Sequence, residues 1–151
     1  MLLQWPGAAA AITAPELRGA KSMQDLSSDM HGRNLQQKEF LKMDLEGTDF
    51  SDSDLRGTVF NTTQLQDSNF SGADLRDVVA FSSRFDRADL SQARLDNGML
   101  LQSKFTDATI DGADFTNAVI DLPQQRALCA RADGSNPISC VSTRESLGCR
   151  P

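Results

Sequence analysis

Tyrosine is absent from the 151 residues, and histidine and tryptophan occur once each, as His31 and Trp5. A single imidazole excludes metal sites built on two histidines and leaves a Ser-His-Asp triad hard to assemble. His31 is read as a surface or cap residue. No apolar run nears the roughly 20 residues that cross a bilayer, so a membrane-spanning chain is excluded. The three cysteines, Cys129, Cys140 and Cys149, lack C-x-x-C spacing, and no glycine-rich phosphate loop is present. No metal, cofactor or catalytic residue is therefore assigned, and the chain is expected not to be an enzyme.

What is present is eight phenylalanines, a hydrophobic content of 39% and a net charge of -6. These fit one soluble domain with large apolar side chains chosen to fill a core. The charge is uneven: residues 34–121 hold 16 acidic and 8 basic side chains, residues 122–151 hold 2 and 4. An acidic surface disfavours nucleic-acid phosphates and anionic lipid, so no nucleic acid is expected as a partner. Residues 1–11 are rich in alanine and match the A-x-A cleavage pattern, but lack a basic n-region and a full apolar core. They read either as the remnant of an export signal or as an ordinary terminus.

Self-similarity fixes the architecture. Every fifth residue is Leu35, Phe40, Leu45, Phe50, Leu55, Phe60, Leu65, Phe70, Leu75, Ala80, Phe85, Leu90, Leu95, Leu100, Phe105, Ile110, Phe115 and Ile120, with Ala80 alone small. Two residues before each centre, from Thr48 to Ala118, only Val78 is bulkier than threonine. A helix would scatter such centres around its axis, and a straight strand would send alternate centres to opposite faces. All of them point inward only if the chain turns a corner between one centre and the next, and four corners close a square. The expected fold is an all-β solenoid of about four and a half coils, each of about twenty residues, stacked at about 4.8 Å. The residue two before each centre also faces inward and the other three face solvent. Asp44, Asp49, Asp54, Asp74, Asp89 and Asp114, each just before a centre, are accordingly read as outward and solvated. Around Ala80 the pattern breaks at Val78, Val79 and Phe81, marking a local bulge, a docking patch or a packing irregularity.

Segments such as Ala73-Asp74-Leu75-Arg76-Asp77, Ala88-Asp89-Leu90-Ser91-Gln92 and Ala113-Asp114-Phe115-Thr116-Asn117 resemble the A(D/N)LXX unit of the pentapeptide-repeat family. That resemblance implies the right-handed quadrilateral β-helix, a hand that spacing alone leaves open. It implies little about function, because one fold hosts many.

The ends of a solenoid need caps. The chain divides into an N-terminal segment and cap at 1–29, the β-helix at 30–121, which Met30 opens, and a short helical C-terminal cap at 122–151. Residues 14–20 and 23–30 fall off register and are expected to form a short helix or an irregular first coil. Residues 121–134 read as a helix with proline near its start and glycine at its stop, followed by a turn at Ser135-Asn136-Pro137. Residues 143–149 then form a last helical turn that returns Cys149 toward Cys129. A bridge between Cys129 and Cys149 is preferred to one using Cys140, with unbridged thiols filling the cap as the alternative.

This tail resembles that of pentapeptide proteins of the thylakoid lumen in chloroplasts and cyanobacteria, with Cys140 as a departure that leaves the pairing open. The resemblance implies a lumenal scaffold whose protein partner is a photosynthetic membrane complex met on its lumenal side. The alternative is a cytoplasmic, DNA-mimicking pentapeptide protein that binds topoisomerase.

Overall fold

The computed structural model describes residues 28–151. The expectations for residues 1–27, including the export-signal remnant, lie outside the described residues. Parallel backbone pairing recurs at an interval of twenty residues, from the bridge of Asp29 with Asp49 to that of Met99 with Val119. Three short strands, β1 (Glu39–Leu41), β2 (Val59–Asn61) and β3 (Val79–Phe81), form one parallel sheet in the order β1-β2-β3. The remaining rungs are single bridges.

Four sides result, named here by their central residues. Side A carries Met30, Phe50, Phe70, Leu90 and Ile110, and side B carries Leu35, Leu55, Leu75, Leu95 and Phe115. Side C carries Phe40, Phe60, Ala80 and Leu100, and side D carries Leu45, Leu65, Phe85 and Phe105. All of these are buried, and phenylalanines one coil apart stack, as Phe40 on Phe60 at 5.1 Å and Phe85 on Phe105 at 5.0 Å. Ile120, expected in the core ladder, is only half-buried, because no further coil lies on it.

The corners explain the small residue two positions before each centre. At these positions hydroxyls reach the carbonyl of a centre in the coil below: Ser53 donates to Met30 O, Thr58 to Leu35 O, Thr63 to Phe40 O, Ser83 to Phe60 O and Ser103 to Ala80 O, at 2.5–2.9 Å. A buried carbonyl is thus satisfied where the chain leaves the ladder. Two positions after many centres the backbone takes the left-handed conformation, at Gln37, Asp52, Asp67, Asp77 and Asn97 as well as at Gly47 and Gly72. Glycine is the relaxed choice there, and asparagine and aspartate tolerate it better than other side chains.

Ala80 is not a bulge. β3 pairs with β2 in register, Phe60 facing Ala80. Val78 is buried beside it, and the next coil places Gly98 against Val78, where a Cβ would lie 3.2 Å from Val78 Cγ1. The bulk missing at one inward position is supplied by its neighbour, and a glycine makes the room.

Helix α1 (Leu122–Cys129) is shorter than the expected 121–134, ending at Ala130, whose amide bonds back to Arg126 O. Pro123 stands in its first turn. Helix α2 (Thr143–Leu147) starts at Ser142, whose hydroxyl accepts from Glu145 N, and stops at left-handed Gly148. No helix among the described residues is long and apolar enough to cross a membrane.

Candidate interaction surfaces

The C-terminal cap replaces a missing coil with side chains. Phe105 N donates to Gln124 Oε1, Phe115 N to Ser146 Oγ and Gln102 N to Asp121 Oδ2, at 2.7–3.0 Å. Carbonyls of the last coils are met in turn: Arg131 donates to Ala108 O and Phe105 O, and buried Asn136 Nδ2 donates to Gln92 O, Ala93 O and Gly112 O. Strand edges that would pair with another chain are thereby occupied.

Cys129 and Cys149 are joined, with Cα atoms 5.6 Å apart, tying the end of α1 to the residue after Gly148. Cys140 is a free, exposed thiol. Arg144 braces the same loop through Cys129 O and Arg150 O. Beside the disulfide lies an open cleft of about 770 Å3 lined by Leu122, Gln125, Arg126, Arg144 and Arg150. Its three guanidinium groups make it the cationic end of an otherwise acidic molecule.

Side B presents alternating charge. Arg56 lies 2.7 Å from Asp54 and 3.8 Å from Asp74, Arg76 2.6 Å from Asp74, and Arg94 2.7 Å from Asp96. The hydrogen bond from Arg56 holds the Asp54 carboxyl below its ordinary range. For Asp74, burial pushes the carboxyl up, and the hydrogen bonds and charge of Arg76 outweigh it, leaving it lowered. Arg84 with Asp86 at 2.5 Å and Arg87 with Asp67 at 2.9 Å continue the pairing near side D.

The carboxylates read as solvated divide. Asp44 is exposed, but Asp114 is buried with 1% of its surface accessible, because the cap folds over it. Burial alone would raise its carboxyl; hydrogen bonds from Ser139 and Thr116 and the charge of Arg94 lower it instead. Asp49 is also lowered, chiefly by the Ser51 hydroxyl and amide. His31 is exposed on side A, its Nδ1 2.8 Å from Ser51 Oγ. Among the described residues no group of three or more His, Cys, Asp or Glu side chains is placed to hold a metal ion.

Side C differs from the other three. Val79 and Phe81, Met99, Val119 and Leu122 are exposed by 37–55% of their surface. The sequence marks this face only around Ala80, where Val79 and Phe81 break the pattern; the residues one before and one after each side C centre, read as columns, carry the rest of the signal.

A family model described as pentapeptide repeats matches in 8 copies, at residues 29–79 and 83–120. Over 32 residues the chain is 62% identical to the chloroplastic thylakoid lumenal protein TL20.3 of Arabidopsis thaliana, a stretch that is 21% of this chain and 11% of that protein. The chain therefore spans a small part of that curated relative. A crystal structure of a pentapeptide repeat protein from the Arabidopsis thaliana thylakoid lumen is 29% identical, with 81% of this chain and 92% of that one covered and a TM-score of 0.45. The pentapeptide repeat protein Rfr23 of the cyanobacterium Cyanothece 51142 is 22% identical over 62% of this chain and 64% of its own, with a TM-score of 0.60. The fold is the right-handed quadrilateral β-helix, and with five-residue units from Asp29 to Ile120 matching the family over more than half its length, the chain belongs to the pentapeptide-repeat family.

Proposed function

We propose that this protein is a non-catalytic scaffold of the thylakoid lumen that docks one of its surfaces on a protein partner, a photosynthetic complex met from its lumenal side. The observation that carries this reading is the bridged cap. A disulfide that ties α1 to the C-terminal segment fits an oxidising compartment and not a reducing cytosol. The 32 residues shared at 62% identity with a lumenal protein point the same way. A rigid prism, satisfied at its corners and sealed at its C-terminal end, holds a surface in fixed geometry, which is what a scaffold needs.

The DNA-mimic reading has less support. Duplex DNA carries one negative charge per about 1.7 Å of axis. Side B offers carboxylates only once or twice per coil, and Arg56, Arg76 and Arg94 neutralise them. The test is fractionation of chloroplasts with protease protection, followed by native gel separation of lumen-washed thylakoids. Recovery inside the thylakoid with Cys129 and Cys149 bridged, and comigration with a membrane complex, are expected. Recovery only outside the thylakoid with all thiols reduced would overturn the proposal.

A further inference from the structure

Three sides of the prism are unsuited to meeting a second copy of an acidic chain. Side A displays Asp29, Asp49 and Asp89 in one outward column; side B carries the ion pairs of Arg56, Arg76 and Arg94 with Asp54, Asp74 and Asp96, and side D the exposed Asp44 and the pair of Arg84 with Asp86. Like charges brought face to face on side A would repel, and a contact on side B or D would strip water from ion pairs already made within one chain.

Side C carries no such column. Its first outward column runs Glu39, Val59, Val79, Met99, Val119, each paired with the next. Its second runs Leu41, Asn61, Phe81, Leu101, Asp121, and the corner beside it offers Thr62, Ser82 and Gln102. Charge appears only at the two ends, with Glu39 and Lys42 at one and Asp121 at the other. Between them is a flat, neutral, largely apolar rectangle about 19 Å tall, from five rungs at about 4.8 Å.

The size of the patch identifies what fits it. From the exposed fractions of Val79, Phe81, Met99, Val119 and Leu122, with half-buried Val59 and Leu101 added, the apolar area is about 500 Å2, within the range of a functional patch. A stable interface needs about 800 Å2 from each partner, and in homodimers about 65% of it is apolar. The apolar centre of side C is close to the apolar share of such an interface, about 65% of about 800 Å2, and Asn61, Thr62, Ser82 and Gln102 supply a polar rim. Two such sheets pack face to face about 10 Å apart, and a two-fold arrangement uses the same patch on both chains and closes at two.

We propose that side C is a self-association surface, through which two copies of this chain pair face to face by the column Val59, Val79, Met99, Val119 and the side chains of Phe81 and Leu101. The pair leaves sides A, B and D of each copy open to other partners, so this inference is independent of the scaffold's location.

The test is sedimentation equilibrium of the full chain carrying Cys140→Ser, which removes the free thiol as a source of covalent dimers. At tens of micromolar the expected mass is twice the 16.4 kDa of one chain. Phe81→Ser with Met99→Glu weakens association at least tenfold while far-UV circular dichroism is unchanged. Val79→Lys provides a second single-site variant with the same expected result, and Thr109→Glu on opposite side A leaves the mass doubled. A monomer at 100 micromolar, a dimer that survives the side C variants, or equal loss with Thr109→Glu would each overturn the proposal.

Discussion

The exchange of bulk between Val78 and Ala80 makes a quantitative prediction about Gly98. A Cβ on Gly98 would meet Leu95 O at 3.0 Å and Val78 Cγ1 at 3.2 Å. The first contact belongs to the turn itself. Gly98 N donates to Leu95 O just as Ala73 N donates to Phe70 O and Ala93 N to Leu90 O, and alanine is accommodated in those coils. The obstacle is therefore Val78. Gly98→Ala is expected to cost about 0.5–2 kcal/mol, the overpacking outweighing the smaller gain from a less flexible unfolded chain. Val78→Ala removes two buried carbon groups and costs about 2 kcal/mol. In the double variant the new methyl occupies part of the vacated space, so the combined cost falls short of additivity by about 1 kcal/mol. Urea unfolding followed by circular dichroism, with an unchanged denaturant slope, measures all four species. Additivity within about 0.3 kcal/mol, or stabilisation by Gly98→Ala alone, would refute the reasoning.

Ser103 donates to Ala80 O and accepts from Ser83 N, so Ser103→Ala orphans two buried groups and should cost about 2–3 kcal/mol, against about 1 for Ser53→Ala, where Met30 O keeps the Arg33 amide as a partner. Asn136→Asp keeps acceptors for Ile138 N and Ser139 N but turns a buried charge on three carbonyls; a loss of about 2–4 kcal/mol is expected, with hydrogen exchange of the cap amides accelerated before those of the coils. Cys149→Ser opens a loop of sequence separation 20 and should cost about 3 kcal/mol by calorimetry. Asp54 and Asp74 have folded pKa values below the unfolded value of 3.8. Their contribution is therefore complete above that value and is lost as pH falls through the folded values; the urea midpoint should hold from pH 7 to 5, drop below about pH 4, and drop less in Arg76→Gln.

The solenoid was legible because its period is a covalent fact of the chain. Eighteen centres at five-residue intervals admit one way of pointing inward, and the interval of twenty in the backbone pairing follows from four corners. The hydroxyl-to-carbonyl bonds at the corners were half legible. Sequence shows that Ser53, Thr58, Thr63 and Ser83 are small, whereas only the stacking of coils shows that the carbonyl each one meets lies twenty-three residues back. Val78 looked like an interruption because repeats were compared along the chain; its compensation by Gly98 runs across coils.

The cap was hidden from the sequence and side C only partly visible in it, at Val79 and Phe81, for opposite reasons. In the cap each contact is unique: Gln124, Arg131, Asn136 and Ser146 imitate a missing strand one atom at a time, and no period announces such residues. Asp114 differs from its expectation for the same reason, since its place in the repeat says solvent and only the cap, through Ser139, says otherwise. Side C, by contrast, is periodic, but at twenty and not at five. Val59, Val79, Met99 and Val119 are scattered in sequence and continuous in space, and an outward residue that is apolar in one repeat means nothing until the same side of the next coil repeats it. In a four-sided solenoid the core is therefore written at the period of the unit and the binding surface at the period of the coil, so function must be sought in the columns that the core does not constrain.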